Sequence, residues 1–326
     1  MTNKLVSLFV LVGLLLFSVW LFLPKNEEVL LNDTKAMFLV PNGAGAGENL
    51  YVPKQPKRVI FLNSSSFELW VALGGAQSVV GVPKFPSASE DTYTKLAPEV
   101  VILPNYNAFS MEKIILLKPD LAIMNGNEKR LELVNSFRQA NIPFMTLPSR
   151  SLEDILAEIE VMGKLIGQEE RANQEIQRIK TNIASNSDKY KDFPRKKAVL
   201  IFGTSESFFM MTPHSRQGEL LELAGGINIL SKEKSLLKDK ITSLSLEYIA
   251  QENPDFVFFI NRGPVDKMQV KIQQALEENS AWNTIRAVRE KRIYVLPPEL
   301  FSISPGLRAD DAVEYLSNIL YQEAGK

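Results

Sequence analysis

The spacing of apolar positions along this chain changes three times and divides it accordingly. Residues 5–23 are almost unbroken apolar, with Lys4 before them and Pro24-Lys25 after. From residue 58 onward, short apolar runs at 58–62, 79–82, 100–103, 121–124 and 143–147 alternate with stretches of helical spacing. Continuous apolar runs of that length suit strands buried on both faces of a parallel sheet, and parallel neighbours need crossover helices between them. Residues 63–66, Asn-Ser-Ser-Ser, offer a helix cap, and Gly74-Gly75 closes the helix that follows. From Ser151 the period is helical throughout: Leu152, Ile155, Ile159, Met162, Leu165 and Ile166 recur on one face. That pattern runs to about Ile183 with a break at Gly163 or Gly167, giving one long helix or two end to end. A second strand–loop–helix series follows through 197–202, 256–260 and 292–296, and it ends in a helix over 310–321.

One pattern occurs twice. Ser110-Met-Glu112 opens a short amphipathic stretch that stops before Pro119-Asp120 and an apolar run; Ser245-Leu-Glu247 does the same before Pro254-Asp255. Proline cannot continue a helix and restricts the residue before it, so each copy reads as a helix, a stop and a buried strand. The repetition predicts an α/β chain of two Rossmann-like lobes with mostly parallel sheets, joined by one long α-helix and preceded by an N-terminal hydrophobic helix. The expected divisions are 1–24, signal anchor or signal peptide; 25–55, linker and a first strand; 56–150, N-terminal lobe; 151–186, connecting helix; and 187–326, C-terminal lobe. Within the linker, the glycines of 42–47 suit a tether or a turn.

Composition narrows the function. A formal net charge of −1 leaves no basic field for nucleic acid. The chain has no cysteine and one histidine, which excludes disulfides, thiolate metal sites, a cysteine nucleophile and zinc sites built from several such residues. Phosphate-cradling Gly-rich loops of the Walker type, Gly-x-Ser-x-Gly elbows and His-x-x-x-His pairs are missing, so the chain reads as a non-enzyme. The apolar run at 5–23 is near the length of a membrane span, longer than a signal-peptide core, and no small-x-small cleavage site follows. An uncleaved anchor is therefore favoured over a cleaved signal, with the remainder extracytoplasmic, at the outer face of the cytoplasmic membrane. Without cysteine there is no residue for diacylglycerol attachment, and the expectation is that the chain is not a lipoprotein.

The residues also carry a likeness. Residues 56–60 (Pro-Lys-Arg-Val-Ile), 68–74 (Glu-Leu-Trp-Val-Ala-Leu-Gly), 79–82, 111–120, 218–228 (Gly-Glu-Leu-Leu-Glu-Leu-Ala-Gly-Gly-Ile-Asn), 282–289 and 292–295 occur in the order found in one family. Over nearly all of 56–321 the chain resembles the substrate-binding proteins of ABC importers for iron–siderophore complexes, haem and cobalamin. The resemblance implies no intrinsic cofactor, a transported ligand that is a ferric siderophore, haem or corrinoid, and an ABC permease with its ATPase as partner. It also implies that Glu112 and Glu247 dock onto arginines of the permease. A first-turn glutamate equally complements the helix dipole, but two carboxylates on two lobes fix a docking register.

The ligand is expected outside the carboxyl ends of the strands. Loops placed there by the pattern hold Phe85, Tyr93, Tyr106, Phe109, Phe208, Phe209, Met210, Met211 and Phe301, which suits a bulky, partly apolar ligand. From these loops Tyr93, Tyr106, Met210, His214, Arg262 and Arg308 are the ligand-binding candidates. No direct metal site is assigned. His214, first of all a surface residue after a proline, is the one candidate axial ligand, opposite Tyr106 or Tyr93. The arginines match carboxylates of a siderophore or a haem propionate, or stand as solvated charges. Two rival readings stay open: a free divalent metal-binding protein of an ABC importer, and a membrane-tethered scaffold or enzyme on the same fold.

Overall fold

A computed structural model describes residues 37–40, 50–85, 87–103, 110–125, 131–204, 207–233, 239–261 and 265–321. The strands are β1 (Met37–Val40), β2 (Leu50–Pro53), β3 (Val59–Phe61), β4 (Val79–Pro83), β5 (Val101–Leu103), β6 (Leu121–Asn125), β7 (Phe144–Leu147), β8 (Lys196–Gly203), β9 (Phe208–Met211), β10 (Gly226–Asn228), β11 (Ile241–Ser243), β12 (Phe256–Asn261) and β13 (Ile293–Val295). The helices used below are α1 (Ser64–Ala72), α2 (Glu90–Thr94), α3 (Met111–Leu116), α4 (Leu131–Gln139), α5 (Leu152–Ile166), α6 (Glu169–Tyr190), α7 (Arg216–Leu223), α8 (Leu246–Glu252), α9 (Val265–Glu278), α10 (Arg286–Arg289), α11 (Pro298–Phe301) and α12 (Ala309–Tyr321).

Apart from the two-stranded pair β1 and β2, the strands form one sheet per lobe. In the N-terminal lobe the order is β5-β4-β3-β6-β7, all parallel. In the C-terminal lobe β10, β8, β12 and β13 are parallel, while β9 turns back antiparallel on β8 and carries β11 at the edge. The stretches 198–202 of β8 and 256–260 of β12 are apolar throughout because both faces are covered: Leu200 and Phe258 point to one cluster, Val199, Ile201, Val257 and Phe259 to another. β1 and β2 pair antiparallel, and the glycine run at 42–47 lies outside the described residues.

The duplicated pattern has one structural meaning in both lobes. Ser110 and Ser245 cap α3 and α8, each accepting from the backbone N–H three residues on. Each chain then passes through a left-handed residue, Lys118 at φ 46° or Asn253 at φ 45°, before the proline. The aspartates fasten the first strand of their own lobe. Asp120 accepts from Lys57 N at 2.8 Å and Arg58 N at 2.9 Å; Asp255 accepts from Lys197 N at 2.8 Å.

The connection between lobes differs from the expected single helix. α5 ends at Gly167, whose φ of 76° places it in the left-handed region, and Gln168 N closes the turn on Gly163 O at 2.7 Å. A second helix, α6, then starts in a new direction. Gly163 stays inside α5 because α6 crosses it closely: a Cβ there would meet Ala172 Cβ at 2.3 Å. α6 buries Ala172, Ile176, Ile179 and Ile183 on one stripe, and it is tied to α12 by bonds from Arg178 and Asn182 to Asp310 and from Asn186 to Ser317. One apolar cluster runs from Phe61 and Trp70 through Ile155, Ile159 and Ile179 to Leu200, Phe258 and Leu316, so the two lobes share a core. The expected N-terminal hydrophobic helix lies outside the described residues; among those described, no helix is long and apolar enough to cross a membrane.

Candidate functional site

The strand-end loops of the two lobes meet. Ser65, just after β3, accepts from Ser304 N, beyond β13, at 3.1 Å, and this contact ties the two lobes at the floor of their junction. On its N-terminal side the start of α1 makes a hydroxyl and amide surface. Asn63 caps that helix through Ser66 N, and Ser64 pairs with Ser87 of the next loop at 2.9 Å. Asn63 Nδ2 and Ser304 Oγ are buried at this seam without a hydrogen-bond partner.

Beneath the floor lies Glu158 of α5, 4 % exposed, accepting from Ser66 Oγ at 2.6 Å. Burial lifts its carboxyl from 4.5 to about 7, against the pull of the Ser66 bond and the Arg216 charge; the Asp154 charge adds to the rise. Since the folded value lies above the unfolded one, the stabilisation is complete below about pH 4.5 and is lost as pH rises toward 7. The loss amounts to roughly 3 kcal/mol. Glu158→Gln is expected to remove this slope and to be the more stable protein at pH 8. Denaturant unfolding between pH 5 and 8 checks it, and parallel curves for the two proteins would contradict the assignment.

Cations gather beside the floor at the lobe junction. Arg216 opens α7 and donates to Ser149 O at 2.6 Å and Ile303 O at 2.8 Å, joining loops of both lobes. Arg150 pairs with Asp154 at 3.1 Å. Burial lowers the pKa of Lys240, and the charges of Arg150 and Arg216 add to the depression. Arg150, Arg216 and Lys240 thus share this junction with the carboxylates of Asp154, Glu158 and Glu219. The sequence reading did not single these residues out, although Ser149-Arg150-Ser151 stands between a strand and a helix, where such a signal could be sought.

The expected ligand residues scatter. Tyr93 accepts from Phe85 N at 2.8 Å and donates to Pro83 O at 2.9 Å, while its ring lies 5.1 Å from that of Phe67; it fastens its own loop. Met210 is 3 % exposed and packs in the C-terminal core, so its place among cleft residues is corrected. Phe85, Met211 and Phe301 are likewise buried. His214 is exposed on a cavity of about 630 Å³ within the C-terminal lobe, bordered by Tyr190, Phe193 and Tyr321. The reversal of β9 carries it there, away from the strand ends. Arg308 pairs with Asp311 at 2.9 Å, and its charge also acts on Glu68 of α1, whose carboxyl burial raises. Tyr106 and Arg262 lie outside the described residues. No group of three or more His, Cys, Asp or Glu able to hold a metal ion occurs among the described residues. Glu112 and Glu247 sit in equivalent first turns, each with its side chain in solvent.

Comparison with known proteins adds to this geometry. A family model described as periplasmic binding protein matches residues 59–300. The ABC transporter substrate-binding lipoprotein YvrC of Bacillus subtilis, itself uncharacterized, is 25% identical over 305 residues, covering 90% of this chain and 91% of that protein. The high-affinity heme uptake system protein IsdE of Staphylococcus aureus is 23% identical over 218 residues, 66% of this chain and 72% of that one. Among solved structures, IsdE complexed with heme superposes with a TM-score of 0.69 at 20% identity over 81% of this chain and 98% of that one. The petrobactin-binding protein YclQ of Bacillus subtilis superposes with 0.70 at 22% over 88% and 99%. YvrC is a lipoprotein, and this overturns the expectation that lipoproteins are excluded; its extracytoplasmic class agrees with the rest of that expectation. The cysteine count removes one acylation chemistry from these 326 residues and does not set localisation.

Proposed function

Because this chain belongs to the periplasmic binding protein family, we propose that it is an extracytoplasmic solute-binding protein that takes a ferric siderophore, haem or corrinoid between its lobes and delivers it to an ABC permease. The observation that carries this reading is the meeting of two strand-end surfaces at Ser65 and Ser304, with the cationic group of Arg150, Arg216 and Lys240 beside it. Hydroxyl and amide groups suit the oxygen-rich periphery of a chelate, and guanidinium groups suit its carboxylates. The relatives that share this architecture are substrate-binding proteins of transporters, and the reading contains no covalent step. Residues 5–23 hold the chain at the membrane in this account, and extraction of the full chain by alkaline carbonate would contradict that part of it.

Deleting the chain should abolish cellular accumulation of one chelate class and leave the others intact. Unchanged accumulation of ferric siderophores, haem and cobalamin together would contradict the reading. The shared core predicts only small closure on binding, less than a flexible strand hinge allows. Small-angle scattering curves of the free and loaded protein should nearly superimpose, and a large compaction would oppose this.

A further inference from the structure

The buried stripe of α5 reads Ile155, Glu158, Ile159, Met162 and Leu165, so one position of an apolar face carries an acid. An ionised carboxylate costs more there than an aliphatic side chain would, and packing one helix on another does not require it. Glu158 accepts from Ser66 Oγ at 2.6 Å, and Ser66 is the third residue of α1. That first turn is also where α1 meets the C-terminal lobe, through Ser65 and Ser304. A helix N-terminus favours negative charge. Two groups at this turn have no hydrogen-bond partner, Asn63 Nδ2 and Ser304 Oγ, on residues 5% and 8% exposed. Both can donate, so the seam suits an acceptor oxygen. The charges acting on Glu158 are Arg216 of α7 and, one turn back on α5, Asp154, which itself lies against Arg150 and Lys240. The other acids nearby are engaged elsewhere: Glu219 of α7 accepts from Leu152 N at 2.8 Å, and Glu68 of α1 accepts from Ser89 N at 2.8 Å and feels the Arg308 charge. α6 crosses α5 farther along, at Gly163 and Ala172.

We infer that an anionic oxygen of the chelate enters at the first turn of α1, beside Asn63 and Ser304, and that its binding is coupled to the uptake of a proton by Glu158. The inference rests on the reading of this chain as a chelate-binding protein, and it narrows the ligand to an anionic chelate with carboxylate or catecholate oxygens over a neutral corrinoid. The entering oxygen displaces the Ser65–Ser304 bond to reach the two donors, which are closed off from solvent at the seam. It then shares one helix pole with Glu158, and two like charges so placed are not both kept. The proton comes from solvent, and no bond of the chelate breaks. Burial already holds Glu158 near neutrality in the free protein, so the uptake falls where small changes of pH matter. Arg216 is fixed by Ser149 O and Ile303 O and keeps its place as the charge beside it changes. Because the loaded protein holds this proton more tightly than the free one, affinity is highest at low pH and falls as pH rises through neutrality.

The test is calorimetric titration of the full chain in detergent micelles, in two buffers of different ionisation enthalpy, with haemin, a ferric catecholate, a ferric carboxylate chelate and cobalamin as probes. The chelate that binds should take up ~0.5 proton at about pH 7.5, and its affinity should fall about fivefold between about pH 6.5 and about pH 8.5. Glu158→Gln should lose both the uptake and the slope. Ser66→Ala removes the bond that holds the acid down, and should move the steepest part of the slope to higher pH. Saturable binding without proton uptake, or uptake that persists in Glu158→Gln, overturns the coupling and leaves the chelate-binding reading standing. Binding of cobalamin alone overturns the anionic class in the same way. No binding of any probe overturns that reading and the inference with it.

Discussion

Glu112→Ala combined with Glu247→Ala is expected to reduce chelate uptake by at least about tenfold while ligand affinity in solution is unchanged. Both carboxylates stand in solvent one residue into helices capped by Ser110 and Ser245, with neither helix depending on them for its cap. A first-turn glutamate contributes about 0.3–1 kcal/mol through the helix dipole, so the doubly substituted chain stays folded. Its melting temperature should fall only slightly. Docking charges act differently, because truncating one side of a paired contact costs about 2–5 kcal/mol, partly by leaving the partner's charge unpaired. Uptake by cells and affinity of the purified chain are the two readouts. Equal loss in both would move these residues from the docking face to the ligand pocket.

Gly218→Ala is expected to destabilise the chain by about 3 kcal/mol or more. Gly218 lies in the first turn of α7, where the helix is pressed against the loop before it. A Cβ there would sit 2.2 Å from Thr212 O and 2.7 Å from Pro213 Cα, both backbone atoms. That loop cannot retreat freely, since Thr212 N donates to Lys240 O at 3.0 Å and Ser215 Oγ donates to Thr212 O at 2.7 Å. α7 also carries Arg216, which joins both lobes, so a displaced helix loosens the cleft floor as well. Thermal unfolding checks the prediction. A melting temperature within about a degree of the unsubstituted chain would mean that the helix and loop are not in this contact.

Local constraints were the part of the architecture readable from residues alone. The serine cap, the stop at Pro-Asp and the buried run after it are each decided within a few residues, and both copies behave alike in the structure. The end of α5 was half-readable. Glycine marked two possible breaks, and choosing between them depends on tertiary contact: Gly163 is needed for the approach of Ala172, whereas Gly167 takes the left-handed turn. The parallel pairing of the apolar runs was readable and is what the sheets show, but the one reversal was not, because an apolar run does not say which neighbour it pairs with. The antiparallel return of β9 therefore put Met210 into the core and His214 on another surface. Charges were the hardest, since Arg150, Arg216 and Lys240 come together only through long-range packing.

The most direct test of the central claim is a tryptophan-fluorescence titration with ferric siderophores, haemin, cobalamin and free divalent metals. Trp70 in α1 and Trp282 in the C-terminal lobe are buried at 1% and 2% exposure, one in each lobe, so each lobe carries a fluorescent reporter that an absorbing chelate can quench by energy transfer. The account predicts saturable quenching by one chelate class and none by free divalent metals. Saturation by a free metal, or no response to any chelate, would contradict it.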